Sequence, residues 1–340
     1  MSINENQSAK KPDIGGQAVL DGVMMKAPDH IAVAVRKPDG DIVIKRDAYV
    51  SPAKKHKWMG LPMIRGAVNM VMMMRLGMEV LSSSGQMSGM LDEEPSRFEK
   101  WLAKKLGKGV DKVIMGVAMV LALALSAGLF VLLPNIPAKA LRGAGWSLLS
   151  VNLISGLIRI VLLVGYLIFC GMIPEMKKTF QYHGAEHKTV YAHEAEVELT
   201  PENAQKFSCL HPRCGTSFLL ITFVFSILFF SVMDELALSL LGLDLGGAYF
   251  LRILSRLLLL PLVAGISYEI LKGLAHAQSP FARALRWPGM QLQRLTTREP
   301  SLEMLEVAIA SMNAALDGLP QGERTGEGYA LIKKAKPALQ

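Results

Sequence analysis

The chain has 340 residues, of which 51% are apolar and only 19% are charged. This balance departs from that of an ordinary soluble domain, and the apolar residues are grouped in long runs. The formal net charge of +8 does not indicate nucleic-acid binding, because the basic residues gather beside those runs, as they do in membrane proteins. The sequence therefore predicts a mainly α-helical, polytopic membrane protein that binds membrane lipids and no nucleic acid.

The N-terminal part of the chain is polar and then rich in β-forming residues. Residues 1–13 lack the apolar core of a secretory signal, and we expect them to be disordered. Residues 14–61 predict a small β-rich cytoplasmic unit. In this unit the runs 31–37 and 42–50 flank the turn sequence Pro-Asp-Gly-Asp, a pattern typical of a hairpin. The glycine-rich stretch 15–22 lacks the spacing of a dinucleotide fingerprint.

A methionine-rich segment follows, over residues 62–82. Its pattern predicts a helix, but Arg65, Arg75 and Glu79 make it a poor spanning segment. We expect it to lie on the membrane surface or against the protein. Together with the basic linker behind it, the segment forms a predicted region over 62–112.

Four later segments are apolar for about the 20 residues needed to cross a bilayer. They cover residues 113–133, 151–173, 216–233 and 249–272. Lysine and arginine gather before the first segment, between the second and third, and after the fourth. By the positive-inside rule, this pattern predicts a four-helix domain over 113–272 in a bacterial plasma membrane, with both termini and the loop 174–215 in the cytoplasm.

Several charged residues lie within these apolar segments or at their ends. Arg159 and Arg256 lie inside predicted spans, and Asp234 and Glu235 lie at the end of the third. Because charges in membranes usually pair with one another, we expect a structural ion-pair cluster, with a transport path as the alternative. Glu269 is expected near the inner surface, close in depth to the loop 174–215.

The C-terminal part of the chain is predicted to be cytoplasmic. Residues 273–316 include a stretch over 301–316 whose spacing indicates a short amphipathic helix. From residue 317 to 340, glycine, proline and charged residues alternate, and this composition predicts a disordered tail.

The loop 174–215 carries the pattern H-x-x-E-H in His183, Glu186 and His187. Residues at positions i and i+4 of a helix project from one face, so the two histidines are suited to hold one metal ion. Glu186 is then the predicted general base for a metal-bound water, in the inverted form of the zincin motif. Gly184 within the pattern costs a helix about 1 kcal/mol relative to alanine.

Three further zinc-type ligands follow in six residues: Cys209, His211 and Cys214. One of them would complete a site with an open position for water, whereas several together would saturate the ion and make it structural. Glu194 lies on the same predicted helical face as the two histidines. It is about 10 Å beyond the second one, so we expect it to orient a ligand or bind substrate.

Two other interpretations of the loop are weaker. Cys214 before Gly215-Thr216-Ser217 resembles a phosphate-binding helix start, but Leu220 stands where a cysteine-dependent phosphatase needs arginine. A thiol protease using Cys214 and His187 stays open, because nothing in the sequence specifies or excludes it.

Four stretches together resemble the bacterial membrane family of domain of unknown function 1385, the YqhQ-type proteins. They are GGQAVLDGVMM at 15–25, YHGAEHKTVYAHE at 182–194, HPRCGTSFL at 211–219 and PGMQLQRLTTREP at 288–300. Asp21 departs from the glutamate expected at its position. Proteins of this family are labelled predicted metal-dependent enzymes, and the resemblance implies the same activity here.

The leading hypothesis from the sequence is a metal-dependent hydrolase at the cytoplasmic membrane face, with zinc as the expected ion. Its substrate would be a membrane-protein segment or a lipid head group. The alternatives are a non-enzymatic scaffold or assembly factor with a structural metal and, ranked lowest, a transporter. The sequence does not determine the oligomeric state, nor whether the stretch 15–22 folds over the histidines.

Overall fold

The structure is a computed structural model that describes residues 14–89, 110–243, 249–277 and 279–334. The predicted disordered N-terminus and most of the predicted basic linker lie outside these residues. The chain divides into two compact units. The first contains Met1–Leu91, Cys170–Leu220 and Ala264–Gln340, and the second contains Asp92–Phe169 and Ile221–Val263.

The first unit is built on a five-stranded antiparallel sheet with the strand order β1-β2-β3-β4-β5. The strands are β1 (Gly15–Val19), β2 (Gly22–Lys26), β3 (His30–Arg36), β4 (Ile42–Ala48) and β5 (Ala330–Ile332). The predicted hairpin is confirmed, since β3 and β4 pair from Arg36 opposite Ile42 to His30 opposite Ala48. The sequence thus predicted the centre of the sheet correctly.

At both edges of the sheet the structure contains strands that the sequence analysis did not predict. The glycine-rich stretch forms a second hairpin of β1 and β2, whose turn residue Asp21 has a φ of 52°. Aspartate tolerates this left-handed conformation better than most residues. The predicted disordered tail is wrong for Ala330–Ile332, because these apolar residues add a strand to the free edge of β4.

Helices cover both faces of the sheet. In chain order, the α-helices of the described residues are α1 (Pro52–Lys55), α2 (Ile64–Met87), α3 (Val110–Ala127), α4 (Leu133–Gly143), α5 (Leu148–Cys170), α6 (Pro174–Glu194), α7 (Pro201–Gln205), α8 (Gly215–Leu241), α9 (Tyr249–His276), α10 (Pro280–Thr296) and α11 (Leu302–Leu316). Alternate strand residues pack with Leu305 and Met312 of α11 on one face, and with Val80 and Met87 of α2 on the other. The first unit is therefore a three-layer arrangement with the sheet in the middle.

Within the part of the chain that the structure describes, four helices are long and apolar enough to cross a membrane, as predicted. Their spanning parts are Gly116–Gly143, Leu148–Cys170, Gly215–Leu241 and Phe250–Leu274. The first extends ten residues past its predicted end at 133, through a π-helical turn (Gly128–Leu132) into the helical segment Leu133–Gly143. The third continues to Leu241 rather than ending at 233.

The expected ion pairing of membrane charges is present only in part. In the second unit, Arg256 lies 3.0 Å from Asp234. Arg159 instead donates to the carbonyl of Phe130 at 3.1 Å, with no acidic partner among the described residues. In the first unit, Glu269 forms a two-pronged ion pair with Arg65, at 2.5 and 2.7 Å.

Candidate metal site

Helix α6 carries His183, Glu186 and His187 on a face that is buried within the first unit. Gly184 lies among them, where a Cβ atom would be only 2.1 Å from the carbonyl oxygen of Arg298. The helix therefore accepts the low propensity of glycine because the neighbouring backbone approaches too closely for any side chain.

The ring of His183 is held by contacts on both of its nitrogens. Its Nδ1 lies 2.8 Å from the carbonyl oxygen of Thr296. Since a carbonyl only accepts, Nδ1 carries the proton and Nε2 keeps a free lone pair. That Nε2 lies 3.3 Å from the Sγ atom of Cys214.

His187 is fixed in the same tautomer. Its Nδ1 donates to the carbonyl oxygen of Cys209, which leaves Nε2 free as a ligand atom. This Nε2 lies 3.4 Å from a carboxylate oxygen of Glu186. The two imidazole rings are close together, with their centroids 4.5 Å apart.

Ligand atoms of His183, His187 and Cys214 all lie within 4.8 Å of one another. Tetrahedral zinc, bound at about 2.0–2.3 Å, places its ligand atoms roughly 3.3–3.8 Å apart. The distance between His183 and Cys214 already meets this requirement, and small side-chain rotations bring in His187. Two imidazoles and one thiolate are also a ligand set suited to zinc and similar transition metals. The residues present therefore fit a divalent ion.

Glu186 faces the same cavity as these three residues. The cavity has a volume of about 460 Å³ and is also lined by His211 and by residues of β1. Gly16 of β1 covers the glutamate so closely that a Cβ atom on it would lie 2.6 Å from Cγ of Glu186. The glycine-rich stretch, whose placement the sequence left open, thus folds over the histidines.

His211 lines the cavity but stands outside the three-residue cluster. Its Nδ1 accepts from the backbone N–H of Arg213 at 3.3 Å, so the proton is on Nε2. Burial lowers the pKa of His211, against an opposing effect of Glu186, which favours this neutral form. The buried Nε2 makes no hydrogen bond with the described residues and lies 3.5 Å from a carboxylate oxygen of Glu194. In this arrangement His211 is a hydrogen-bond donor rather than a ligand.

Cys209 and Glu194 also stand outside the cluster, and each is held by another residue. Burial and a hydrogen bond to Glu299 raise the pKa of Cys209 to about 12, so its sulfur stays a neutral thiol. Glu194 pairs with Arg213 and faces His211. Of the three predicted third ligands, only Cys214 meets the two histidines within the described residues.

Several residues that position the site had no role in the sequence analysis. Gln293 is fully buried, accepts from the backbone N–H of His211 at 2.8 Å and donates to its carbonyl at 2.8 Å. Lys188, whose side chain is only 4% exposed, donates to the carbonyls of Gln205 and Phe207. The signal for Gln293 and Thr296 was present, since both lie in the stretch 288–300 that carries the family resemblance.

The predicted charges Arg159, Arg256 and Glu269 take no part in this cluster. Arg159 and Arg256 belong to the second unit, and Glu269 is held by Arg65.

The fold and the site together define a multi-pass membrane protein whose first unit carries a largely buried cluster of two histidines and one cysteine. Residues 61–318 match the family model described as "Protein of unknown function (DUF1385)", and the chain belongs to this family. The "Uncharacterized protein YqhQ" of Bacillus subtilis (strain 168) is 34% identical over 312 residues, which cover 90% of this chain and 92% of that protein. No solved structure matches the chain significantly.

Family membership confirms the resemblance noted in the sequence. The family's description and the relative's name state no activity, so the function has to be argued from the site. At the position where the sequence departs from the expected glutamate, Asp21 forms the β1–β2 turn and an ion pair with Lys178 of α6.

Proposed function

We propose that this protein is a metal-dependent hydrolase in which His183, His187 and Cys214 hold a divalent ion, with zinc as the best match. The observation that carries the proposal is the shared tautomer of the two histidines. Each donates Nδ1–H to a backbone carbonyl and keeps Nε2 free as a ligand atom, as metal-binding histidines do. Three protein ligands leave a fourth position for water, as is typical of catalytic rather than structural sites.

Glu186 is the general base of the proposed reaction. When bound, the ion lowers the pKa of a coordinated water to about 7 and so supplies a nucleophile at neutral pH. Glu186 lies at the same cavity and next to His187, where its carboxylate is suited to accept a proton from that water. The Nε2–H of His211 faces a carboxylate oxygen of Glu194 at 3.5 Å without forming a hydrogen bond with the described residues, so it is available to donate to negative charge that develops on the substrate.

A groove next to the cavity of the metal site is suited to bind the apolar part of a substrate. Its volume is about 720 Å³, and its walls carry methionines of α2 together with Phe218 and Leu271. It shares Gly15–Gln17, Met73 and Arg213 with the cavity of the metal site. Methionine-rich grooves adapt to varied apolar partners. We therefore propose a substrate with a hydrolysable polar group beside an apolar chain, either a membrane-protein segment or a lipid.

The proposal is tested first by the metal content of the full-length protein in detergent. We expect about one equivalent per chain in the wild type, and its loss in His183→Ala and Cys214→Ala. His193→Ala is the matched control, because this histidine lies on the same helix outside the cluster. Wild-type protein that takes up no transition metal overturns the proposal.

Glu186→Gln separates an enzyme from a scaffold. The amide has nearly the same shape, so we expect the metal to remain while hydrolytic activity, or the phenotype that depends on it, is lost. The second candidate function is a scaffold with a structural metal. It is favoured by the way the cluster joins α6 to the segment 209–214. A fully functional Glu186→Gln variant with bound metal would establish the scaffold.

A further inference from the structure

The second unit contains a cavity of about 380 Å³ among its apolar helices. Three arginines line it, Arg159, Arg252 and Arg256, together with Asn135 and Asn152. No carboxylate is among the described residues that line this cavity. The remaining wall is mostly aromatic and aliphatic, so three positive charges lie in largely apolar surroundings.

The described residues near these arginines provide only one compensating carboxylate. Asp234, whose side chain is 2% exposed, lies 3.3 Å from Arg252 and 3.0 Å from Arg256. Asn152 completes this group, since its amide donates to Asp234 at 3.0 Å and its oxygen accepts from Arg252 at 2.5 Å. One aspartate is thus shared between two arginines, which leaves the pair with a net positive charge.

Arg159 adds a third positive charge, and no carboxylate among the described residues pairs with it. Its Nε donates to the carbonyl of Phe130, and the guanidinium is close enough to Arg252 and Arg256 to be repelled by both. Arg159 is the twelfth residue of the helix Leu148–Cys170, about 16 Å from either end at 1.5 Å per residue. The side chain that carries this guanidinium therefore leaves the backbone in the middle of an apolar helix.

Unused hydrogen-bond donors accompany the excess charge. The Nε atoms of Arg252 and Arg256 are buried and have no hydrogen-bond partner among the described residues. Charges within membrane helices are costly unless they are paired, and removing one partner of a buried pair is strongly unfavourable. Charge and hydrogen bonding both indicate that an anion completes the cluster.

We propose that this cavity binds the phosphate group of an anionic membrane lipid. Arginine forms two parallel hydrogen bonds with phosphate oxygens, and the three guanidinium groups offer the required donors. The aromatic and aliphatic wall, which includes Phe130, Phe230 and Leu257, is suited to the acyl chains. A free phosphate ion would leave this apolar wall uncovered, so a lipid fits the cavity better. The proposal does not depend on the metal site.

The test is a lipid titration of full-length, delipidated protein, followed by native mass spectrometry. The probes are phosphatidylglycerol, phosphatidylcholine with the same acyl chains, and inorganic phosphate. We expect phosphatidylglycerol to bind tightest. Arg159→Met should weaken its binding about tenfold or more, because a charge-assisted hydrogen bond is lost. Arg142→Met is the matched control, since Arg142 belongs to the same unit but does not line the cavity.

A measurement of thermal stability distinguishes the loss of the Arg159 charge from a general destabilisation of the fold. In lipid-free protein, Arg159→Met removes from apolar surroundings a cation that no described carboxylate pairs with, so we expect the thermal midpoint of the variant to equal or exceed that of the wild type. If this variant does not fold, Ser226→Leu takes its place, because it fills the cavity and keeps all three arginines. Its affinity for phosphatidylglycerol should fall by a similar factor.

Three outcomes overturn the proposal. The first is equal affinity for phosphatidylglycerol and phosphatidylcholine, which removes selectivity for net charge. The second is inorganic phosphate binding as tightly as the lipid, which makes the cavity a site for free anions. The third is unchanged binding of phosphatidylglycerol when the cavity is altered.

Discussion

Gly184 offers a sharp test of the architecture around the metal site. Alanine inside a helix is ordinarily more stable than glycine by about 1 kcal/mol. At this position, however, the new Cβ would lie 2.1 Å from the carbonyl oxygen of Arg298. An ordinary contact between carbon and oxygen needs about 3.3 Å, so the two segments must separate by about 1.2 Å.

The segment at Arg298 cannot move away freely. The backbone N–H of Arg298 donates to the carbonyl of Phe180, which lies on the same helix as Gly184, at 2.9 Å. Two residues before Arg298, the carbonyl of Thr296 accepts from Nδ1 of His183. Overpacking of this kind costs about 1–3 kcal/mol. We therefore expect Gly184→Ala to destabilise the protein by about that amount and to weaken metal binding, because the His183 ring loses its alignment with Cys214.

Two measurements check this prediction, both on full-length protein in detergent. The thermal midpoint should fall by several degrees, since about 1 kcal/mol corresponds to roughly 2–4 °C for a domain of 150–250 residues. Metal affinity is measured by competition with a chelator. Gly165→Ala is the matched control, because Gly165 lies inside a helix with nothing within 4 Å of the new Cβ, and it should be neutral or stabilising. Equal behaviour of the two variants would refute the reasoning.

Three further predictions concern other residues around the candidate metal site. Gly16→Ala places a Cβ 2.6 Å from Cγ of Glu186, so hydrolysis should fall sharply while the metal content measured by elemental analysis stays near that of the wild type. Gln293→Leu leaves the backbone N–H of His211 without its partner and removes one of the two hydrogen bonds to the His211 carbonyl, so it should cost about 1–3 kcal/mol in denaturant unfolding. Alkylation of Cys209 at pH 8, followed by peptide mapping, should be slow because burial and, after it, Glu299 raise the pKa of the thiol. Glu299→Gln removes the second of these causes and should accelerate the alkylation.

The parts of the fold that the sequence predicted are those set by local patterns. Apolar runs of about 20 residues indicated the four membrane helices, and two runs rich in β-branched residues on either side of a turn indicated the β3–β4 hairpin. The strand Ala330–Ile332 was missed, since three apolar residues in a polar tail carry no periodic signal. That strand forms only because the edge of β4 accepts it, and pairing between residues almost 300 positions apart is not encoded locally.

The candidate site likewise has one part that a local pattern predicted and another part that no local pattern predicted. His183 and His187 follow from a spacing of four residues on one helix, which any helical prediction brings together. The choice among Cys209, His211 and Cys214 depends on which way each side chain leaves an irregular segment. In the structure, Gln293 holds the backbone of His211 in this segment from 82 residues away. No pattern within the loop itself contains this information.

The composition of the first unit also constrains how the chain crosses a membrane. Its sheet contains strands that precede the first apolar helix in the chain and one strand, β5, that follows the fourth apolar helix. Helix α6 lies in the chain between the second and third apolar helices and packs against β1. Segments that fold together must lie on one face of a bilayer, and an even number of crossings separates each pair of them. The distribution of lysine and arginine predicts that this face is cytoplasmic. A reducing compartment keeps thiols free, so Cys214 would remain available there as a metal ligand instead of being lost to a disulfide.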